Sequence, residues 1–356
     1  MAERSINIGL NNERHQLSER EREILTKIIH LYILNASPVG SRNLSRYFDS
    51  TYRLSPATIR NVMADLEEMD YISHPHTSAG RVPTDKGYRF YVDSLNMSDN
   101  LTENEISTLH KRLTQSLSPE EVLKDASKVL GLLSNYLGVV AFPHLTEFVI
   151  QKIELIALSS SRLLVVIALE SNIVRTVTLE AEFDINQRHL EDIATFINEK
   201  MTGKTLGFVK DNFGAIINDY RRQDAPLIRL FIDSVDRIFD RNSNIEKVHV
   251  AGAHNLLEYS DSEDLMRVKG IIELVENEDM IIHLLDKIED SENGIKVLIG
   301  NEIDNAILRD YSMVVSKYRI GGAGSGSIGI IGPKRMNYSR MIALVSRITE
   351  DLSLSK

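Results

Sequence analysis

Hydrophobic residues fall into a regular pattern only after residue 16; the polar, aperiodic residues before it read as a flexible lead-in. Ser18-Glu-Arg-Glu21 is a capping box, whose two side chains satisfy each other's free backbone amides, and it predicts a helix start. Ile24, Ile28 and Leu31 follow at helical spacing, Leu25, Ile29 and Tyr32 widen the stripe, and Asn35-Ala-Ser-Pro38 stops it. A short second helix fits Ser41 to Phe48, burying Leu44 and Phe48. After a polar connector from Asp49 to Leu54, Ser55-Pro56 sets an N-cap before proline at the first helical position. This third helix runs to about Met69, with Ile59, Val62, Met63 and Leu66 facing inward. Tyr71-Ile72-Ser73 and Arg81-Val82-Pro83 are short extended pieces around the loop His74 to Gly80. Thr84-Asp-Lys-Gly87 then opens a fourth helix ending near Leu95. Three helices followed by a small β-loop are the order of a winged helix-turn-helix.

Asn96 to Asn100 is a polar joint, and two helices follow it. The second is introduced by Ser118-Pro-Glu-Glu121 and continues through Val129, Leu132, Leu133 and Leu137. From Phe148 to Phe183 the signal turns to β, in the runs 149–153, 163–169 and 174–179. Helical patterns dominate from about Asn186 to Ile288, broken by one strand-like piece at Lys247 to Ala251. Strands return at 295–299, 312–316 and 328–331, and a last helix spans Tyr338 to Leu352. Strands, then helices, then strands predict an α/β domain interrupted by a helical insertion, and an α+β multidomain chain as a whole.

The length of 356 residues fits two or three domains. With 42% hydrophobic and 26% charged residues the chain is not mostly disordered. No apolar run reaches the ~18 residues that would cross a bilayer, and the N-terminus lacks an apolar signal core, so a cytoplasmic protein is expected. Zero cysteines exclude disulfides, a thiolate nucleophile, a zinc ribbon and an Fe–S cluster.

A net charge of −10 speaks against nucleic acid until its distribution is examined. Residues 1–95 balance 12 Lys/Arg with 12 Asp/Glu, whereas residues 256–292 carry 12 acidic and 3 basic residues. Any contact with phosphates therefore belongs to the N-terminal third. The acidic stretch carries Leu265, Val268, Ile271, Ile272 and Leu274, then Ile281, Ile282, Leu284 and Leu285, the pattern of amphipathic helices that are solvated or make subunit contacts.

On the third helix, 100° per residue puts Ala57, Asn61 and Ala64 opposite the buried stripe, flanked by Thr58 and Arg60. Small residues allow close approach, while arginine binds guanine and asparagine binds adenine through paired hydrogen bonds. Recognition helices use their N-terminal residues in this way. The segment His74 to Arg81 supplies short donors and one arginine, suited to phosphates or the minor groove. His74 and His76 share a strand face, but no carboxylate sits nearby to complete a ligand set, so no metal is expected. Gly324-Ser-Gly-Ser-Ile-Gly329 matches a dinucleotide fingerprint, yet it continues into a strand rather than a helix, and 321–326 reads as a flexible hairpin loop. Gly203-Lys-Thr205 lacks the earlier glycine of a phosphate loop, since residue 198 is Asn. No catalytic constellation appears, and neither an enzyme nor a cofactor is expected.

Three stretches go further: Ser55-Pro-Ala-Thr-Ile-Arg-Asn61, the wing Pro75 to Thr84, and Lys86-Gly-Tyr-Arg-Phe-Tyr91. With Pro38-Val-Gly-Ser41, Val297 to Glu302 and Gly332-Pro-Lys-Arg-Met-Asn-Tyr338, they closely resemble the heat-inducible transcription repressor HrcA family. The departures are Asp70, where the family usually has glycine, and Lys334 and Asn337, which bear on local turns and contacts. The resemblance implies a winged-helix domain at 1–97 and a GAF-like domain in two pieces, 98–184 and 291–356, around a mainly helical dimerisation insertion at 185–290. It implies a homodimer that represses chaperone operons of the GroE and DnaK type through an inverted-repeat operator, CIRCE. Activity would be lost on heat stress and promoted by the GroEL chaperonin. The expected DNA-contacting set is Ser41, Arg42, Ser55, Ala57, Thr58, Arg60, Asn61, His76, Thr77, Ser78 and Arg81. The rival class is a small-molecule-sensing regulator that uses the GAF-like domain as its ligand pocket.

Overall fold

The computed structural model describes residues 17–48, 54–75, 80–95, 101–114, 118–218, 225–239, 248–258, 265–286, 294–320 and 324–354. The lead-in, the connector 49–53, the wing residues His76, Thr77 and Ser78, the joint 96–100 and residues 321–323 of the glycine run lie outside them. The chain divides into two compact units, Met1–Leu95 and Asn96–Lys356.

In the first unit α1 (Glu19–Asn35) begins with the expected reciprocal cap. Glu21 N donates to Ser18 Oγ at 3.3 Å, and Ser18 N donates to the Glu21 carboxylate at 2.6 Å. The helix buries Ile24, Leu25, Ile28, Ile29 and Leu31, while Tyr32 stays half-buried. Against it lie α2 (Ser41–Phe48), burying Leu44 and Phe48, and α3 (Pro56–Glu68), burying Ile59, Met63 and Leu66. Val62, expected inside, is half-buried at the margin of that stripe. β1 (Ile72–Ser73) and β2 (Val82–Pro83) pair antiparallel, and α4 (Asp85–Asp93) follows with Thr84 as its cap. Val39 adds a third strand-like pairing that no periodicity announced: Val39 N donates to Arg81 O at 2.9 Å, and Arg81 N returns a bond to Val39 O at 3.0 Å.

Between α3 and β1, Asp70 takes a φ of 62°. That is the left-handed region, where a side chain costs about 1–2 kcal/mol, less for aspartate than for most residues, and glycine costs almost nothing. Asp70→Gly is therefore expected to raise stability by up to about 1 kcal/mol, read as a higher urea midpoint at an unchanged slope. A lower midpoint would show that the Asp70 side chain contributes more than its backbone strain removes.

The second unit opens with α5 (Glu103–Leu113) and α6 (Pro119–Ser134). Ser118 caps α6, accepting from Glu121 N at 3.2 Å, and a full reciprocal box that the sequence reading passed over joins Thr102 and Glu105 on α5. Asn135 turns left-handed and ends α6, so Leu137 is not helical as expected but starts β3 (Leu137–Ala141). All five residues of β3 are buried. A strand buried on both faces has no alternation to give it away.

After β3 come β4 (Ile150–Ser159), β5 (Arg162–Leu169) and β6 (Val174–Glu180), a separate three-stranded antiparallel meander. Next are α7 (Gln187–Met201), α8 (Leu206–Asn218), α9 (Ala225–Asp233) and α10 (Val235–Phe239). Ile153, Val165, Ile167 and Leu179 of the meander share one core with Ile193, Ile197, Phe213 and Phe231 of these helices. β7 (Val248–Ala251), α11 (Ala253–Glu258), α12 (Leu265–Glu276) and α13 (Glu278–Asp286) return to the main body. β8 (Ile295–Ile299), β9 (Tyr311–Ile320), β10 (Gly324–Pro333) and α14 (Tyr338–Leu354) complete it. The main sheet is five-stranded and antiparallel, in the order β7-β3-β10-β9-β8.

Ile271 and Leu274 of α12 and Ile281 and Leu285 of α13 pack with Leu137, Met313, Val315 and Ile331 on one face of this sheet. On the opposite face Tyr338, at the start of α14, reaches Ser312 with its hydroxyl at 2.8 Å from Ser312 Oγ. Asn337 serves as the cap of α14, its Oδ1 accepting from Arg340 N at 3.3 Å. Arg340 in turn donates to Glu105 Oε1 at 2.6 Å and to Leu133 O at 2.8 Å, tying α14 to α5 and α6.

The main sheet takes β3 from before the β4–α10 stretch and β7 to β10 from after it. Sheet membership depends on long-range hydrogen bonding, which local periodicity does not encode. One sequence expectation changes here: Gly324, Ser325 and Gly326 are not loop but the first rungs of β10, paired with Ile320, Arg319 and Tyr318. The glycines are needed because aromatic rings cross the strand: the Phe148 ring fills the space of a Gly324 Cβ. Tyr318 passes over Gly326 to donate its hydroxyl to Ala141 O at 2.8 Å.

Candidate nucleic-acid interface

The geometry of α3 starts with its cap. Ser55 Oγ accepts from Thr58 N at 3.1 Å and lies 2.9 Å from Thr58 Oγ1, so these two expected contact residues bind each other in the free chain. Their bonds set the helix start and direct its first turn outward. Ala57, Arg60, Asn61 and Ala64 are exposed along the side opposite Ile59, Met63 and Leu66. Neither Arg60 nor Asn61 bonds to another described residue, so both polar ends are available. Phe48 and Leu44 anchor α2 against α3, leaving Arg42 exposed and Ser41 half-buried in the first turn of α2.

The base of the wing is tied down on several sides. Lys86 Nζ donates to Met69 O at 2.7 Å and sits 4.4 Å from the Tyr71 ring centroid. Thr84 Oγ1 donates to Asp70 O at 2.6 Å. Tyr71 meets Phe90 edge-on, with centroids 5.9 Å apart. The motif Lys86-Gly-Tyr-Arg-Phe-Tyr91 thus holds the start of the β1 arm, through Lys86 and Phe90.

Glu67 is the residue the sequence reading missed. From the last turn of α3 its carboxylate takes an ion pair from Arg81 at 2.7 Å and a hydrogen bond from His74 Nδ1. The expectation that His74 has no carboxylate near it is therefore corrected: seven positions back in sequence, Glu67 is adjacent in space. Burial by itself would raise the Glu67 carboxyl, but the bond from His74 and the charge of Arg81 outweigh it and hold the group below the usual carboxylate range. Its signal in the sequence was an acid at the end of the helix whose next element is a basic loop. Among the described residues no group of three His, Asp or Glu side chains is placed to hold a metal.

The other two candidate motifs are structural. Gly324 to Gly329 runs straight along β10, with no helix at its end to receive a pyrophosphate. Asn198 clamps α7 to β4, donating to Ile153 O at 2.6 Å and accepting from Ile153 N at 2.8 Å. No described helix is long and apolar enough to cross a membrane.

Three helices, the paired strands at the base of a wing, a fourth helix, and an exposed Arg-Asn pair early on the third helix define a DNA-binding regulator of the winged-helix class. Residues 16–96 match the family described as winged helix-turn-helix transcription repressor, HrcA DNA-binding, and residues 120–342 match the HrcA protein C terminal domain. The chain belongs to the heat-inducible transcription repressor HrcA family. A protein of that name from Chlorobium phaeobacteroides strain BS1 is 35% identical over 96% of this chain and 99% of its own length. Another, from Halalkalibacterium halodurans, is 34% identical over 95% and 97%. A hypothetical protein with a crystal structure at 2.2 Å resolution is 29% identical over 96% of this chain and 98% of its own, with a TM-score of 0.63. The chain is accordingly a transcription repressor with a DNA-binding winged helix, and not an enzyme.

Proposed function

We propose that this repressor, in the cytoplasm, binds an inverted-repeat operator of the CIRCE type as a homodimer and shuts off chaperone operons of the GroE and DnaK type. Heat removes that activity, and the GroEL chaperonin promotes it. The observation that carries the DNA half of this reading is the exposed Arg60–Asn61 pair, bonded to no other described residue, on a helix whose other side is packed. One such helix reads one half-site, so an inverted repeat calls for a two-fold partner.

Support for a partner comes from the meander. Its inner face packs on α7 to α10, whereas its outer face presents Ile156, Leu158 and Val174, exposed by 43%, 52% and 57%. Leu164 and Val166 lie half-buried between them. Contiguous exposed apolar residues of this kind mark interaction surfaces, subunit contacts among them. The dimer contact proposed here includes this face of the meander beside the helices of the expected 185–290 insertion.

The test is a gel shift with the inverted repeat beside a scrambled duplex of equal length, run before and after heat treatment and with GroEL and ATP added to the heated sample. Selective binding, its loss on heating and partial recovery with the chaperonin are expected. Equal binding to both duplexes refutes the operator reading, and recovery that ignores the chaperonin refutes the regulatory one.

A further inference from the structure

We propose that Glu67 is an intramolecular competitor for DNA, holding Arg81 and His74 off the phosphate backbone in the free repressor. The inference rests on the reading that the wing contacts phosphates. Glu67 sits in the last turn of α3, His74 directly follows β1, and Arg81 directly precedes β2. One carboxylate thus gathers the basic groups from both sides of the wing, with Arg81 Nη2 at 2.7 Å from Glu67 Oε2.

Three observations make this a competition rather than an incidental surface pair. Arg81 and Glu67 expose only 26% and 24% of their side chains, so solvent screens the pair less than it would on an open surface. Arg81 Nε is buried and finds no partner among the described residues, so the carboxylate uses only part of the guanidinium fork. A phosphodiester accepts the same donors, and a guanidinium released from Glu67 can offer it the Nε that is buried in this arrangement. Arg60 and Asn61, by contrast, bond to no other described residue. Binding any duplex through the wing must first break the Glu67 contact, and that cost is the same for every sequence.

The experiment compares the full chain with Glu67→Gln by fluorescence anisotropy on the inverted repeat and on a scrambled duplex at several salt concentrations. The expected result is tighter binding of both duplexes by a common factor of roughly two to five, the size of a half-exposed ion pair. In an Arg81→Ala background the gain from Glu67→Gln should shrink, because the main competitor's target is gone. Glu67→Asp, which keeps the charge but withdraws it by one methylene, should give a smaller gain in the same direction. Weaker binding by folded Glu67→Gln or Glu67→Asp protein, or an undiminished gain without Arg81, overturns the proposal and makes Glu67 a strut that orients the wing. Failure of the operator reading looks different: it abolishes the ratio between the two duplexes, whereas Glu67 acts on both affinities together.

Discussion

Arg60→Ala and Asn61→Ala are each expected to lose about 1–3 kcal/mol of discrimination between operator and scrambled duplex, the worth of one paired base contact. Both side chains project from the second turn of α3, opposite the buried Ile59, Met63 and Leu66. Neither supports the fold, so truncation should leave the thermal midpoint within experimental scatter and act on recognition alone. The loss should also be confined to the base pair each residue reads; the affinity for unrelated DNA, which is mainly electrostatic, should fall only slightly for Arg60 and not at all for Asn61. Competition binding with single base-pair substitutions in one half-site measures this directly. If discrimination survives both changes in a folded protein, the reading surface is elsewhere, and the outward face of α2 becomes the place to look.

The second large effect is expected in the other unit, at Phe148. This side chain is completely buried, belongs to the core of the meander module, and lies over Gly324 at the start of β10. Beside it Glu147 accepts from Ser325 N at 3.1 Å and from Ser325 Oγ at 3.2 Å, so the two adjacent residues fasten the module to the main sheet. Phe148→Ala removes a ring from a packed site that glycine cannot refill, at a cost of about 3–5 kcal/mol. Set against total domain stabilities of about 5–15 kcal/mol, this should lower the midpoint of urea unfolding steeply. Operator binding should fall with it through loss of the paired half-sites. A destabilisation under about 1 kcal/mol would mean that the junction relaxes to fill the cavity, and that the module is fastened elsewhere.

The DNA-binding unit was almost fully legible in the sequence. Ser18 with Glu21, Ser55 with Pro56, and Thr84 are capping signals that act within one turn, and each begins a helix where it predicts one. The hydrophobic stripe of α3 has the helical period, so it also determined which residues face outward, Arg60 and Asn61 among them. The β-branched runs at β5, β6 and β8 were equally plain, since strand propensity and alternation are local properties.

What only the tertiary structure decided is which of these pieces meet. β3 hides because a strand covered on both faces loses its alternation, and its partners β10 and β7 lie more than a hundred residues away in the chain. The glycines at 324 and 326 read as flexibility until Phe148 and Tyr318 are seen crossing them. Glu67 reads as one more solvated acid until the pairing of β1 with β2 brings His74 and Arg81 to its carboxylate. Capping and amphipathic periodicity come from interactions a few residues apart, and the sequence displays those directly. Strand partners, the reason for a glycine and the neighbours of a charge arise between residues distant in the chain, and only the closed fold brings them together.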